Sequence, residues 1–255
     1  MRIAVLGSGS RGNCTYIEGS DSAILLDAGF SAAETMRRLA LVKADPGMIR
    51  AIILTHEHTD HVRGLPAIAR RLNVPVYGTE GTLACCHARL ERHGALTAIR
   101  MGDGFGIEGF EIEPLAASHD AWEPCGFRVS ENGASIGCYT DSGVVSPRII
   151  EDLKKCDAIL LESNHCPEML RTGPYPEMLK RRIRSKRGHL SNLAAASVLR
   201  ELKSDVPYVI LAHLSEVNNN PAKALACARG ALGFFAEDVV LSAASQHEAG
   251  PLVRI

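Results

Sequence analysis

The stretch that most constrains this chain is Thr55-His56-Glu57-His58-Thr59-Asp60-His61. Three imidazoles and two carboxylates crowd together there, directly after the unbroken apolar run Ala51-Ile52-Ile53-Leu54. A short, β-branched apolar run reads as a buried strand. The cluster therefore stands at a strand end, where layered α/β folds place their sites. His56 and His58 are two apart, so in an extended segment their side chains leave the same face. Asp60 and His61 are adjacent and must point elsewhere. One ion has no use for this second pair, whereas two ions side by side do. Imidazole nitrogen and carboxylate oxygen are ligands for Zn²⁺, and they also suit Mn²⁺ and Fe²⁺. The competing reading is a solvated loop that happens to be rich in His. The ordered pattern H-x-H-x-D-H, with no Lys or Arg inside it, argues against that reading.

The remainder of the chain sets the frame. Its 255 residues support a substantial core, and 46% hydrophobic with 22% charged content is the balance of a soluble globular protein. A net charge of −1 carries no global signal for nucleic acid, so any such signal must be local. The N-terminal apolar segment is too short for a signal peptide, and no apolar run approaches the length of a membrane span. A cytoplasmic protein without membrane contact is expected. Eight cysteines are scattered without a C-x-x-C pair, which excludes a zinc ribbon and suits reduced thiols. No linker, repeat or low-complexity segment interrupts the chain, so one domain over residues 1–255 is expected. The oligomeric state stays open, a homodimer included.

Strands are expected at 3–6, 14–17, 23–29, 51–54, 74–78, 105–117, 125–131, 135–139, 157–165, 206–211 and 239–241. Helices are expected at 31–41, 64–72, 80–93, 193–202 and 222–233. Asn132-Gly133 joins two strands as a hairpin turn. His87 and His93 sit on a charged helix and read as surface residues. The loop Gly7-Ser8-Gly9-Ser10-Arg11-Gly12-Asn13 is either a plain turn or a phosphate cradle built from N–H groups and the side chains of Ser8, Ser10 and Asn13. It is neither a Walker loop nor a dinucleotide fingerprint, because a strand and not a helix follows. Asp27, at a strand end in Asp27-Ala28-Gly29, could by its chemistry alone cap the helix at 31–41. Lys180, Arg181, Arg182, Arg184, Lys186 and Arg187 precede Gly188-His189-Leu190-Ser191-Asn192 and a helix. Such a run is either a solvated face or a cationic cradle beside a helix start whose free N–H groups favour phosphate.

His56-x-His58-x-Asp60-His61 resembles the signature of the metallo-β-lactamase superfamily of binuclear hydrolases. The resemblance implies four further marks, and the chain supplies them in order: Asp27, His119, Asp141 and His213. Alone, His119 would read as structural; its place in this series makes it a ligand candidate. The implied fold is α/β (α+β), an αββα sandwich of two mixed β-sheets flanked by helices. The opening loop resembles the Gly-Ser-x-Ser-x-Gly-Asn-Cys of the YycJ/WalJ-type branch. Gly188-His189-Leu190-Ser191 and His213-Leu214-Ser215 are similar to motifs of the ribonuclease Z group. The protruding arm of that group is missing, and the 213 − 141 = 72 residues between Asp141 and His213 leave no room for an inserted domain.

The resemblance implies two divalent ions, Zn or Mn with Fe possible. His56, His58 and His119 are expected on one, Asp60, His61 and His213 on the other, with Asp141 bridging. Asp27 is expected to support ligands without binding an ion. The expected reaction is phosphodiester hydrolysis of DNA or RNA by metal-activated water. Asp60 would orient the water, His189 would steady phosphate or protonate the leaving oxygen, and Glu162 would orient His189. Ser8, Ser10, Asn13, Arg181, Arg182, Arg184, Ser191 and Asn192 are the expected phosphate contacts. Two other readings remain: a carboxyl-ester, thioester or lactone hydrolase, and a metal-bound regulatory protein with little turnover.

Overall fold

The computed structural model describes residues 1–90 and 95–255. The strands Arg2–Gly7 (β1), Cys14–Glu18 (β2), Ala23–Leu26 (β3), Ile49–Ile53 (β4), Val76–Thr79 (β5) and Leu96–Ile99 (β6) form one sheet. Phe105–Ile107 (β7), Phe110–Ala116 (β8), Cys125–Glu131 (β9), Ala134–Tyr139 (β10), Ala158–Glu162 (β11), Tyr208–Ala212 (β12) and Val240–Ala243 (β13) form a second, in the order β13-β12-β11-β10-β9-β8-β7. The C-terminal strand Val253–Arg254 (β14) pairs antiparallel with β1 and completes the order β14-β1-β2-β3-β4-β5-β6. Both sheets are mixed. β1, β2 and β3 pair antiparallel and β3 to β6 parallel. β7 to β10 pair antiparallel and β10 to β13 parallel.

The apolar runs of the sequence explain the layering. Along β1, Ile3 and Val5 face the second sheet while Ala4 and Leu6 face the outer helices. Strands covered on both faces need apolar residues at every position, which is why they read as continuous runs and not as alternation. Between the sheets, Ile17, Ile24 and Ile53 meet Phe110, Phe127, Val129, Ile136 and Leu160. Outside the first sheet lie Ala32–Leu41 (α1), Thr59–Val62 (α2), Leu65–Leu72 (α3) and Glu80–Leu90 (α4). Outside the second lie Pro147–Leu153 (α5), Asn192–Leu202 (α8) and Pro221–Leu232 (α9), burying Leu153, Leu199 and Leu232 against Ile159 and Leu211. Each such fully buried Leu or Ile stabilises the fold by about 1.5–3 kcal/mol relative to exposure. Pro167–Thr172 (α6) and Glu177–Ile183 (α7) occupy the stretch between β11 and α8. The result is the expected αββα sandwich.

Several local expectations shift. Ser31 caps α1 by accepting from the Glu34 amide, so the capping alternative for Asp27 does not hold. β6, β14, α2, α5, α6 and α7 are additions: they are short, and β6 and β14 are sheet edges with little patterning. α4 is described only as far as Leu90, so His93 lies outside the described residues, while His87 is exposed. Asn132 and Gly133 both have positive φ (50° and 82°), as a type I′ hairpin turn requires. No helix among the described residues is long and apolar enough to cross a membrane.

A candidate metal centre at converging strand ends

The C-terminal ends of β3, β4, β8, β10, β11 and β12 deliver Asp27, the 56–61 loop, His119, Asp141, Glu162 and His213 to one place. Three of these residues, Asp27, Asp141 and His213, hold left-handed backbones with φ of 62°, 55° and 52°. Non-glycine residues adopt that region at a cost, and the surrounding structure must impose it. Here each sharp turn swings a side chain off its strand into the shared site. Gly29, two residues after Asp27, is required by contact: a Cβ there would collide with the carbonyl oxygen of Asp60.

The ring orientations are fixed one hydrogen bond at a time. Thr55 Oγ1 donates to Asp27, so it accepts from His56 Nδ1 at 3.0 Å. His61 Nδ1 donates to Asp27 Oδ2 (2.8 Å), and His119 Nδ1 to the Gly188 carbonyl (3.0 Å). His213 Nδ1 lies against the carboxylates of Asp141 (3.0 Å) and Glu162 (3.1 Å). In all four rings Nδ1 carries the proton, so Nε2 presents its lone pair, the arrangement a ligating histidine needs. Asp27 thus braces two rings and the loop backbone, since it also accepts from the Thr55 amide at 2.9 Å.

The ligand atoms fall into overlapping sets. Those of His56, His58 and His119 lie within 4.8 Å of one another, as do those of Asp60, His61 and His213, and those of His56, His61 and Asp141. Asp141 Oδ2 is 3.4 Å from His61 Nε2, and Asp60 Oδ2 is 3.6 Å from both His61 Nε2 and His213 Nε2. His56 Nε2, His213 Nε2 and Asp141 Oδ2 are buried and make no hydrogen bond. A buried polar atom without a partner is costly, and divalent cations held by these ligand sets would repay it. The electrostatics agree. Burial, with the charge of His61 adding, holds His56 well below the ordinary histidine range, and burial likewise lowers His119. At His213 burial opposes charging, yet Asp141, Asp60 and Glu162 overcome it and lift the pKa to about 10. His61 is raised in the same way, against burial, by Asp27 and Asp141. Carboxylates that favour protons on two rings favour a metal cation in their place. The donor set fits divalent ions.

A fourth set, Asp141, Glu162, His189 and His213, has a different character. Glu162 is fully buried, accepts from the amides of Ser142 and Leu190 (3.0 Å each), and accepts from His189 Nδ1 at 2.7 Å. Burial works against its charge, but His189 and His213 hold its pKa at about 2. Its capacity is spent on hydrogen bonds. His189, partly exposed, lines a cleft of 210 Å³ together with Ser10, Asp120, Tyr175, Arg182 and Ser215.

The expected phosphate contacts divide. Ser10 and Arg182 line the cleft. Ser8, Asn13 and Asn192 do not offer free side chains, and this corrects the expectation for them. Ser8 is buried, donating to Asn13 Oδ1 (3.2 Å) and accepting from the His213 amide (2.9 Å). Asn13 is buried with its amide nitrogen on Asp60 Oδ2 and His61 Nε2 (3.2 and 3.0 Å). Asn192 is buried and bonded to Ser163 and Asn219. Ser191 is half-buried and caps α8 through the Ala194 amide. Arg181 and Arg184 are exposed, with Glu177 as partner at 3.7 and 2.7 Å. Arg187, unassigned by the sequence, donates to the carbonyls of His119 and Ala121 and so holds the ligand loop. Asp120 was also missed: it lies 3.3 Å from His119 Nε2 and 2.5 Å from Arg182 Nε, linking the centre to the cleft. Its adjacency to His119 was the available signal; Tyr175 offered none.

The profile of the β-lactamase superfamily domain matches residues 22–214. The chain is 36% identical to exodeoxyribonuclease YycJ of Bacillus anthracis over 225 residues, 86% of this chain and 84% of that protein. It is 35% identical to exodeoxyribonuclease WalJ of Streptococcus pneumoniae serotype 2 over 228 residues, 86% and 83% of the two chains. The crystal structure of the metallo-β-lactamase fold protein YhfI from Bacillus subtilis superposes with a TM-score of 0.68 at 17% identity, covering 99% of both chains. The ordered ligand motifs, the two mixed sheets with their outer helices and these likenesses agree: the chain belongs to the β-lactamase superfamily, in the YycJ/WalJ-type branch of its metallo-β-lactamase-fold hydrolases.

Proposed function

We propose that this chain is a metal-dependent nuclease that hydrolyses phosphodiester bonds of DNA from a strand end. The observation that carries the reading is the cleft. His189, held by buried Glu162, and Arg182, held by Asp120, line one cleft beside the ligand sets. A diester needs both a proton donor for its leaving oxygen and a cation for its phosphate, whereas a neutral ester needs no cation. Two relatives that the chain covers almost throughout are exodeoxyribonucleases, which supports DNA and an exonucleolytic mode.

His56, His58 and His119 would hold one divalent ion and Asp60, His61 and His213 a second, with Asp141 shared. When bound, such ions supply Lewis acidity, polarising a phosphoryl oxygen and making water acidic near neutral pH. The chain's own groups do the rest. Asp60, partly exposed and bonded to Asn13, orients the attacking water. Glu162 fixes His189 with its Nδ1 as donor, which leaves Nε2 to carry a proton to the leaving oxygen. Arg182 and Ser10 position the phosphate. The eight free cysteines suit a reducing compartment, and we place the protein in the cytoplasm.

The test is hydrolysis of end-labelled DNA, RNA and a generic diester by purified protein with Mn²⁺ or Zn²⁺. Stepwise release of nucleotides from DNA is expected. Cleavage of thioesters or lactones with no attack on any diester would overturn the reading.

A further inference from the structure

We propose that the indole of Trp122 is a stacking platform for an unpaired base of the DNA strand whose phosphates enter the cleft. This rests on the nuclease reading and adds the form of substrate that the site prefers, a single strand at the reacting end.

Among the described residues two aromatic side chains are strongly exposed, Trp122 at 79% and Phe234, and Phe235 is exposed at 38%. The two phenylalanines sit on the turn between α9 and β13. Trp122 sits on the loop from β8 to β9 that also carries His119, buried at 3%, and Asp120. Three residues span at most about 11 Å of chain, so the indole stands within a few nucleotides of the ligands.

The loop is fastened on every side. The Trp122 amide donates to Glu57 Oε1 (2.9 Å), and Glu57 lies between His56 and His58. Arg187 holds the carbonyls of His119 and Ala121, and Ser118 Oγ donates to the Lys186 carbonyl (2.9 Å). The Glu123 carbonyl accepts from Thr79 Oγ1 (2.8 Å), and its carboxylate from the Gly81 amide (3.0 Å). A loop this tied down does not release its tryptophan by mobility. It presents the indole to solvent in a fixed place, and a fixed aromatic face binds at low entropic cost.

The occupant follows from the neighbours. Arg182, Lys186 and Arg187 are exposed on the segment that holds this loop, and Arg182 lines the cleft. An aromatic face beside a cationic track is the arrangement that binds single strands, with bases on the ring and phosphates on the cations. Bases in a duplex are stacked on each other and cannot lie on the ring.

Trp122 is the chain's only tryptophan, so its emission reports directly on the proposed contact. The metal-loaded protein is titrated with a phosphorothioate-linked oligothymidylate, which resists cleavage, and in parallel with a blunt hairpin duplex of the same chemistry. Quenching by the single strand and little change with the duplex are expected. Trp122→Ala should weaken single-strand binding by about 5- to 150-fold, and Trp122→Phe should recover most of it. If the oligonucleotide binds and DNA is cleaved, but emission does not change and the Ala variant binds as wild type does, the platform is wrong and the nuclease reading stands. If the wild type binds no single strand, the platform fails as well. A circular-dichroism spectrum matching wild type excludes misfolding of either variant.

Discussion

The loop at 56–61 and the basic segment at 180–187 look alike in sequence: each is a dense run of polar residues beside a regular element. In the fold they are opposites. His56 and His61 are buried, and their rings are oriented by Thr55 and Asp27. Lys180 is half-buried and the five other cations of the segment are exposed, and their partners vary: Arg182 with Asp120, Arg181 and Arg184 with Glu177, Arg187 with loop carbonyls, Lys180 with the Arg171 carbonyl. Coordination chemistry demands particular residue types at particular spacing, so a ligand loop announces itself. A cation accepts any oxygen within reach, so its task is set by whichever chain lies opposite.

The largest effect tests the first region. Asp141 groups with His56 of one proposed ligand set and His61 of the other, so Asp141→Ala should empty both positions and lower activity by about 10³-fold or more, the several kcal/mol that an ion contributes. His119→Ala should mainly empty one position. Elemental analysis after Zn²⁺ or Mn²⁺ loading checks both. Wild-type protein with one ion or none would end the two-ion proposal.

Next in size, His189→Ala should keep its metal content and lose turnover by about 10²-fold or more. Its Nδ1 is committed to Glu162 at 2.7 Å, which separates it from His56 and His213, whose buried Nε2 atoms have no partner. Metal loss in this variant would move His189 into the ligand set and blur the line between cleft and centre.

What could be read from the sequence follows the same division. The ligand candidates, the αββα layers and most central strands were legible, because coordination and two-faced burial both impose strict patterns. The Gly/Ser loop misled over Ser8 and Asn13. Their composition suits a phosphate cradle, but the loop folds inward and both side chains brace Asp60, His61 and His213 instead. Asn192 misled for a related reason: at the first turn of α8 its side chain turns into the core toward Ser163 and Asn219. Arg187 was not assigned because its partners, the His119 and Ala121 carbonyls, are distant in sequence, and Asp120 because the cation it holds, Arg182, is distant too, although its neighbour His119 marked the place.

A smaller effect separates cations within the basic segment. Arg182 lines the cleft, so Arg182→Ala should weaken DNA binding and flatten the slope of log K against log salt by about 0.7 for a single strand or about 0.9 for a duplex. Arg184→Ala, which removes a partner of Glu177 on an exposed helix, should leave both affinity and slope near wild type. Equal effects from the two would make the segment one uniform field, not a single placed contact.

The smallest effect lies outside the site and isolates what a tied-down cation contributes to stability alone. Arg38 is buried, donates to the Leu6 and Gln246 carbonyls, and meets Glu34 at 2.6 Å across one helical turn. Hydrogen bonds from Arg37 and Arg38 lower the Glu34 pKa from 4.5 to about 2. A carboxylate depressed in the folded state adds stability above its unfolded pKa and loses it as pH falls toward the folded one. Glu34→Gln should therefore cost about 1 kcal/mol or less at pH 7, since the carboxylate is partly solvated. The gap between variant and wild type should hold down to about pH 4.5 and close between there and about pH 2. Urea unfolding at a series of pH values measures it. A gap that stays constant through that window would show that Glu34 acts by packing, and that Arg38 is held by its carbonyl partners alone.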